Sequence, residues 1–441
     1  MKSISIIGSG FVGLCLAVVL SCRNFKVIAC DVDKEKILKI KNGKSPFYES
    51  NLDKLLNIAL KKGIEFTNDV NYAIKNSEIT FVTVGTPPKE DGSANLQYLE
   101  SAIRTIAQNL RDKGDFHSVV IKSTVVPTTT NQLVKPILEE ISKKKVGIDI
   151  GLVMNPEFLR EGSAIHDTEN PHLIVIGAND EKSSKILEGY YQEVYQKENP
   201  EVIKTNIETA ELIKYANNAF LATKISFINT IANICQRIPG TDVGIISRAI
   251  GKDPRIGSLF LNAGPGYGGS CFPKDVSALI NFSKKIGYDP LLISATHQVN
   301  ITQAQKVMDL IKKNLGELDG KKISVLGLAF KSNTDDIRES VSTRLINLLL
   351  KENSKIFAHD PKAIENSKRI FQNKVTFYEN IDDCVKESDC CVIMTDWDEY
   401  KKISKNTFVT MKHKLVIDAR RILNHELFDD SIKLITLGSN P

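Results

Sequence analysis

The run Ser3-Ile-Ser-Ile-Ile7, Gly8-Ser-Gly10-Phe-Val-Gly13, Leu14 to Leu20 and Lys26-Val-Ile-Ala-Cys30-Asp31 decides the fold of this chain. The first five residues are short, apolar and β-rich, and read as a strand. The run after the glycines reads as a helix, and Lys26 to Cys30 as a second strand ending on an acid. Strand, G-x-G-x-x-G, helix, strand, acid is the fingerprint of a dinucleotide cradle, with the acid about 20 residues past the glycines. Gly8 makes the tight turn. Gly10 lets the backbone reach a pyrophosphate at the helix amino terminus, and Gly13 lets helix and strand pack closely. Asp31 is expected to hydrogen-bond the adenosine ribose. Asp33 lies close by and no arginine follows directly, so NAD is favoured over NADP, although Lys34 and Lys36 weaken that preference. Lys2 and the apolar run to Leu20 imitate a secretory leader, but the glycine spacing and the following strand speak against one.

The same pattern continues outward. Ile79 to Val84 reads as a strand ending in Gly85-Thr86-Pro87-Pro88. Ser118 to Lys122 ends in Ser123-Thr124-Val-Val-Pro127, and Leu152 to Met154 ends in Asn155-Pro156-Glu157. In open α/β sheets the ligand lies beyond the carboxyl ends of the strands, so these polar tails are site candidates. Thr205-Asn-Ile-Glu208 has the pattern of a capping box opening a long helix to about Cys235. Apolar residues occupy much of that helix, so it is expected to bridge domains or pack against a second subunit. Lys214 and Asn218, four apart, share one face and suggest a buried polar target.

Asp319-Gly320 marks a boundary. Beyond it, a strand at Lys322 to Leu326, Gly327, a helix near Val341 to Leu350 and a strand at Lys355 to His359 before Asp360 repeat the opening order. One glycine of the three is present, so this reads as a related nucleotide-type fold and not a second NAD site. Later strands are expected near Asp389 to Met394 and Lys414 to Ile417. The fold class is therefore α/β: two doubly wound Rossmann-like domains joined by a long central helix. The expected divisions are 1–203 for NAD, 204–300 for a helical dimerisation region and 301–441 for the second nucleotide-type domain.

The chemistry is expected at Gly266-Tyr-Gly-Gly-Ser-Cys271-Phe-Pro-Lys274-Asp275. Glycines leave the sulfur uncovered. A thiolate is the nucleophile, and a nearby cation favours it.

Gross composition narrows the function. The 441 residues are too many for one ordinary core. A net charge of +5, spread among interleaved acids and bases, gives no basic stripe, and 7% aromatic content gives no base-stacking platform. No nucleic-acid partner is expected. The eight cysteines form no C-x-x-C pair and suit a reducing, cytoplasmic setting. No stretch suggests a membrane span, and no metal site is expected.

With these motifs in hand, the chain resembles the UDP-glucose/GDP-mannose dehydrogenases over nearly its whole length. The resemblance is carried by GSGFVG (8–13), VGTPP (84–88), STVVP (123–127), NPEFLREGSA (155–164), ELIKYANNAF (211–220), IGKDPRIG (250–257), GYGGSCFPKD (266–275) and AFKSNTDDIRES (329–340). It implies oxidation of a sugar's C6 alcohol to a carboxylate with two NAD and no metal, through a thiohemiacetal and thioester on Cys271. It also implies a homodimer or larger homo-oligomer.

Residue by residue, the resemblance assigns Cys271 as nucleophile and Lys214 and Asn218 to the developing oxyanion. Asp275 acts with a water and Lys214 in accepting a proton, Glu157 and Glu161 lie near the sugar and the hydrolytic water, and Thr124 helps place that water. For NAD it points, beside Gly8, Gly10 and Gly13, to Val12, Asp31, Lys36, Thr86, Thr124, Glu161, Lys274 and Arg338. For the UDP-sugar it points to Glu157, Phe158, Leu159, Arg160, Glu161, Lys214, Asn218, Phe260, Leu261, Asn262, Ala263, Gly264, Gly268 and Lys331. Arg255 matches an arginine that reaches a partner subunit's site, and Arg420 one near the substrate.

The chain departs from the pattern at Thr128, where many relatives have glycine, and at Asn262 and Pro265. Within the family UDP-glucose is favoured as substrate over UDP-N-acetylhexosamines and GDP-mannose. The N-acetylhexosamine enzymes carry a Glu-Asn pair and then an arginine in the long helix, and here Asn217-Asn218 and Leu221 stand there. A hydroxyacid dehydrogenase or a non-enzymatic NAD-binding regulator would share the opening motif but have no need of Cys271.

Overall fold

The computed structural model describes residues 3–440, and the chain divides into two compact units, Met1–Asn217 and Asn218–Pro441. In the first, eight strands form one sheet: β1 (Ser3–Ile7), β2 (Lys26–Cys30), β3 (Glu65–Thr67), β4 (Ile79–Val82), β5 (His117–Ile121), β6 (Ile150–Met154), β7 (Leu173–Ala178) and β8 (Glu201–Thr205). Their order is β3-β2-β1-β4-β5-β6-β7-β8. Neighbours run parallel except β6 and β7, which are antiparallel. The order reverses between β1 and β4, and that switch point is where a doubly wound sheet opens a crevice. Ile4, Ile6, Ile28, Phe81, Val119 and Val120 are fully buried, which explains their near-continuous apolar strands. The helix Phe11–Cys22 is longer than the Leu14 to Leu20 expected, and its residues 13–21 are all buried between the sheet and neighbouring helices.

A buried polar chain crosses this sheet. Ser77 donates to Ser5 (2.9 Å), Ser5 Oγ meets Thr80 Oγ1 (2.7 Å), and Thr80 Oγ1 meets His117 Nε2 (2.7 Å). Lys113 Nζ lies 3.0 Å from His117 Nδ1, so the ammonium donates there and the ring's own proton sits on Nε2. Burial, then the Lys113 charge, push His117 down from 6.5 to about 3. The unfolded chain therefore binds a proton that the folded chain refuses. This stabilisation is fully present above pH 6.5 and drains away as the pH falls toward 3. Over that window stability is expected to drop by about 1.4 kcal/mol per pH unit from this residue. Urea unfolding at a series of pH values should show the slope, and His117→Gln should flatten it.

In the second unit, β9 (Thr241–Asp242) precedes β10 (Lys322–Leu326), β11 (Lys355–His359), β12 (Val375–Phe377), β13 (Cys390–Ile393), β14 (Leu415–Asp418) and β15 (Lys433–Thr436), and β16 (Ser439–Asn440) is the last strand described. Six of these form an all-parallel sheet in the order β12-β11-β10-β13-β14-β15, again reversing beside the first strand. Cys390 and Cys391 are fully buried strand residues. The final strand β16 pairs antiparallel with β9, and Arg421 holds Asp242 through both carboxylate oxygens (2.8 and 2.7 Å). Ser439 and Asn440 are thereby paired with the segment that follows the long helix.

That helix runs Ile207–Cys235 and carries the chain from the first unit into the second. Its amino end corrects the capping-box expectation. Thr205 is spent on β8, paired with Gly177, so Asn206 caps instead, accepting from the Thr209 amide at 2.8 Å. Glu208 turns to the Asn131 side chain (2.6 Å). Among the described residues no helix is long and apolar enough to cross a membrane.

Candidate active site

The glycine turn at the β1 end divides its labour in a way the structure makes plain. Gly8 has φ +102°, a backbone region that only glycine occupies at low cost. A Cβ on Gly13 would lie 1.9 Å from the Gly8 carbonyl oxygen, so helix and turn touch there. A Cβ on Gly10 would meet nothing within 4 Å. Gly8 and Gly13 serve the fold, whereas Gly10 leaves room for a ligand. Gly10 caps the helix Phe11–Cys22 without a side-chain bond, and no acid stands in its first turn. Its first amides, Val12 among them, thus suit a phosphate. Asp31 is buried at the β2 end, where its carboxylate accepts from the Ser9 amide (2.8 Å) and the Asp33 amide (3.0 Å) and pairs with Lys36 (2.9 Å).

This division gives a paired prediction. Gly10→Ala should weaken NAD at least about tenfold with the melting temperature unchanged, because its Cβ meets only the ligand. Gly13→Ala should cost about 2–4 kcal/mol of stability, because its Cβ meets backbone. NAD titration and thermal melting of both variants separate the two cases.

At the neighbouring strand ends, Thr86 donates to the Thr124 carbonyl (2.8 Å) and Ser123 to the Val84 carbonyl (2.7 Å). The tails after β4 and β5 are thus tied together at the switch point. After β6, Glu157 is buried. Its Oε2 accepts the Leu159 amide (2.6 Å) and its Oε1 meets Lys214 Nζ at 2.9 Å. Burial pushes this carboxyl up, but the Lys214 charge and hydrogen bond, the Leu159 amide and the Lys122 charge outweigh it and hold Glu157 below the usual carboxylate range. Lys214 is itself 3% exposed, so the shared face of Lys214 and Asn218 is no solvated strip. Phe158 lies under the Lys214 ammonium, 5.5 Å from its ring centre. Glu161 is buried in the same loop, and Leu159 is half-buried. Arg160 points elsewhere, held by both oxygens of Asp167.

In the second unit, Cys271 occupies the N-cap of the helix Phe272–Lys285 with Pro273 in the first turn, and Ser270 Oγ lies 3.6 Å from its sulfur. A helix amino terminus offers partial positive charge to a thiolate. One turn on, Asp275 is 1% exposed. Asn218 donates to its Oδ2 (2.7 Å), and Lys274 engages its Oδ1. Lys274, expected at NAD, here belongs to this cluster.

The glycines before the thiol are explained by contact. A Cβ on Gly268 would lie 2.4 Å from the Glu339 carbonyl oxygen, and one on Gly269 would lie 2.7 Å from the Phe330 ring. Gly269 donates to the Arg338 carbonyl (2.9 Å). The loop 260–264 opens with Phe260 at φ +64°, its ring 6.2 Å from that of Phe272. Leu261, Ala263 and Gly264 are buried and Asn262 is exposed. Arg420 donates to the Met394 carbonyl (2.7 Å) and the Phe330 carbonyl (3.1 Å), and its Nη1 would lie 3.3 Å from a Cβ on Gly264. Lys331 is half-buried beside Phe330, with Nζ 5.8 Å from that ring. Two predicted residues have exposed side chains paired with near neighbours: Arg255 with Asp253 (2.6 Å) and Arg338 with Asp336 (2.7 Å). Among the described residues no group of three His, Cys, Asp or Glu side chains could hold a metal.

Four residues that sequence reasoning passed over support these clusters. Asn300 brackets Tyr267, accepting from its amide (2.7 Å) and donating to its carbonyl (2.9 Å). Asn229 accepts from the Gly264 amide (2.8 Å). Glu211 accepts from the Thr128 and Thr130 amides (2.6 and 2.8 Å), and burial pushes it up to about 7. Thr128 has φ +75°, so the conformation suited to glycine is kept by a threonine. The fourth is Lys122. Its signal was a lysine closing an otherwise apolar strand.

The glycine cradle and the switch point of the first unit define a dinucleotide-dependent oxidoreductase fold, and the second unit adds a thiol poised at a helix terminus. Family models described as the NAD binding domain, the central domain and the UDP binding domain of the UDP-glucose/GDP-mannose dehydrogenase family match residues 2–196, 208–302 and 324–425. The chain belongs to this family. It is 42% identical to UDP-glucose 6-dehydrogenase TuaD of Bacillus subtilis over 428 residues, covering 97% of this chain and 90% of that protein. It is 40% identical to UDP-glucose 6-dehydrogenase AglM of Haloferax volcanii over 421 residues, covering 95% and 97%. A solved UDP-glucose dehydrogenase from Pyrobaculum islandicum superposes with TM-score 0.91 at 36% identity, covering 99% of this chain and 97% of that one. A UDP-D-ManNAc dehydrogenase from Pyrococcus horikoshii gives 0.87 at 26% identity, covering 99% of both chains.

Proposed function

We propose that this chain oxidises the C6 alcohol of UDP-glucose to the carboxylate of UDP-glucuronate with two NAD. The observation that carries the reading is Cys271 at a helix amino terminus, one turn from the buried Asp275 and its Asn218 partner. The two UDP-glucose 6-dehydrogenases at 42% and 40% identity support the choice of sugar.

NAD, when bound, takes up the hydride at each of the two oxidations. The chain's own groups do the rest. The C6 aldehyde left by the first oxidation is captured by the Cys271 thiolate: a carbon–sulfur bond forms and the carbonyl pair moves onto oxygen. Lys214 and Asn218 stabilise that oxygen, and such donors are worth roughly 10²–10³ in rate each. The second oxidation leaves a thioester on Cys271. Water adds to it with Glu157 taking the proton, the carbon–sulfur bond breaks, and the thiolate departs to leave the acid. Holding the carbon on sulfur keeps the aldehyde from escaping and divides a four-electron oxidation into separate steps. Asp275, held by Asn218 and Lys274, accepts protons through water. We assign Asp31, Lys36, Thr86, Glu161 and Arg338 to NAD, and Phe260–Gly264, Gly268, Lys331 and Arg420 to the UDP-sugar.

The deciding assay follows NAD reduction with UDP-glucose, UDP-N-acetylglucosamine, UDP-N-acetylmannosamine and GDP-mannose. Two NADH per UDP-glucose supports this reading. One NADH points to a hydroxyacid-type dehydrogenase, and a preference for another nucleotide sugar replaces the substrate. A second copy of the chain is proposed to cover Phe220, Phe227 and Ile234, which are 65%, 51% and 46% exposed at seven-residue spacing along the long helix. Analytical ultracentrifugation should find at least a dimer, and a monomer would remove that assignment. Eight cysteine thiols suit a reducing compartment, and we place the reaction in the cytoplasm.

A further inference from the structure

We propose that Lys122 is a positioning residue for this oxidation, and the proposal rests on the reading just given. Its buried ammonium keeps the Glu157 carboxylate ionised and, through Asn155, fixes the strand end from which Glu157 projects.

Lys122 follows the last residue of β5 and is 9% exposed. Its Nζ donates to Asn155 Oδ1 at 2.9 Å. The Tyr191 hydroxyl donates to that same oxygen, and Asn155 Nδ2 donates to the Val175 carbonyl at 2.7 Å. Asn155, two residues before Glu157, is therefore clamped by groups following or within β5 and β7 and on the helix Glu181–Val194. An amide cannot neutralise an ammonium, and a buried charge without compensation is costly. The compensating charge is Glu157, which draws Lys122 upward while burial and then Lys214 act on it. Burial is the largest influence, and Lys122 is pushed down to about 8.

The titratable groups around this lysine leave Glu157 with two cations. Lys214 faces it from the long helix, at 2.9 Å from Glu157. Tyr191 and Tyr195 line the same pocket, and burial raises both, so they stay neutral in the working range. Asp167 and His172 line it too, and Asp167 is committed to Arg160. One carboxylate between two lysines remains ionised at lower pH than a carboxylate with one. A merely structural lysine would fasten Asn155 without setting the ionisation of Glu157, and the pH dependence of turnover distinguishes the two roles.

The test measures kcat and KM for UDP-glucose from pH 5 to 9 in wild type, Lys122→Met and Lys122→Arg, with folding checked by circular dichroism. In Lys122→Met the acid limb of kcat should move up by about one pH unit, which is about a tenfold loss on that limb. KM should stay within about twofold. Lys122→Arg, which keeps the charge at all these pH values, should restore the wild-type acid limb. An unmoved limb in Lys122→Met, or no restoration by arginine, overturns the proposal. If Lys122→Met does not fold, the alkaline limb decides. A wild-type decline near pH 8 that vanishes in Lys122→Arg supports the proposal, and one that persists unchanged overturns it. Wild type that reduces no NAD with UDP-glucose overturns the functional reading itself, and this inference with it. Two NADH per sugar in wild type beside an unmoved limb overturns the lysine assignment alone.

Discussion

Cys271→Ser is expected to stop acid formation while leaving NAD and UDP-glucose binding intact. Serine keeps the shape of the side chain but lacks an ionisable thiol, and its hydroxyl is a weak nucleophile without an activating base. The helix amino terminus that favours a thiolate gives an alkoxide far too little help. The yield of UDP-glucuronate should fall at least about a thousandfold, with at most one NADH per sugar. Quenched-flow product analysis with an aldehyde trap checks this, because the variant should accumulate the aldehyde oxidation state. Cys22→Ser, at a half-buried thiol outside these clusters, should keep both oxidations. Normal acid production by Cys271→Ser would remove the covalent mechanism.

Lys214→Ala should damage both activity and stability, and for different reasons. On the proposed mechanism, removing the ammonium deletes a donor to the developing oxyanion, and the expected loss in kcat is about 10²–10³. It also leaves Glu157 buried without its 2.9 Å partner. Breaking a buried pair from one side costs up to about 3–5 kcal/mol, and here Glu157 keeps only the Lys122 charge. The double variant Lys214→Met with Glu157→Gln separates the effects. Stability should return in part, since the stranded carboxylate is gone but Lys122 loses the charge that compensates it, while activity should not return. Urea unfolding and steady-state kinetics on the same preparations read both quantities. A single variant as stable as wild type would mean that Glu157 is not held by this pair.

Much of the fold was legible because its signals are local. The turn at Gly8 to Gly13 needs particular backbone angles and clearances within a few residues, and those needs are written as glycines. Strands β1, β2, β10 and β11 ended where their apolar runs ended. The long helix lay within two residues of its expected start, and the error came from a long-range cause: Thr205 is drawn into β8 by pairing with β7. Cys271 stood out in the sequence through its glycine run and the nearby Lys274 and Asp275, whereas the helix that it caps was seen only in the structure.

Sequence alone determined which residues could do chemistry, because turn, cap and helix spacing depend on near neighbours. The partners were decided by the tertiary structure. Lys274 turned to Asp275, Arg160 to Asp167, and Asn300 reached back 33 residues to clasp Tyr267. Lys122 looked like the end of a strand until β5 and β6 were laid side by side and its ammonium met Asn155. Sheet order and helix packing join residues distant in the chain, and the electrostatics of a buried carboxylate depend on those neighbours rather than on its own motif.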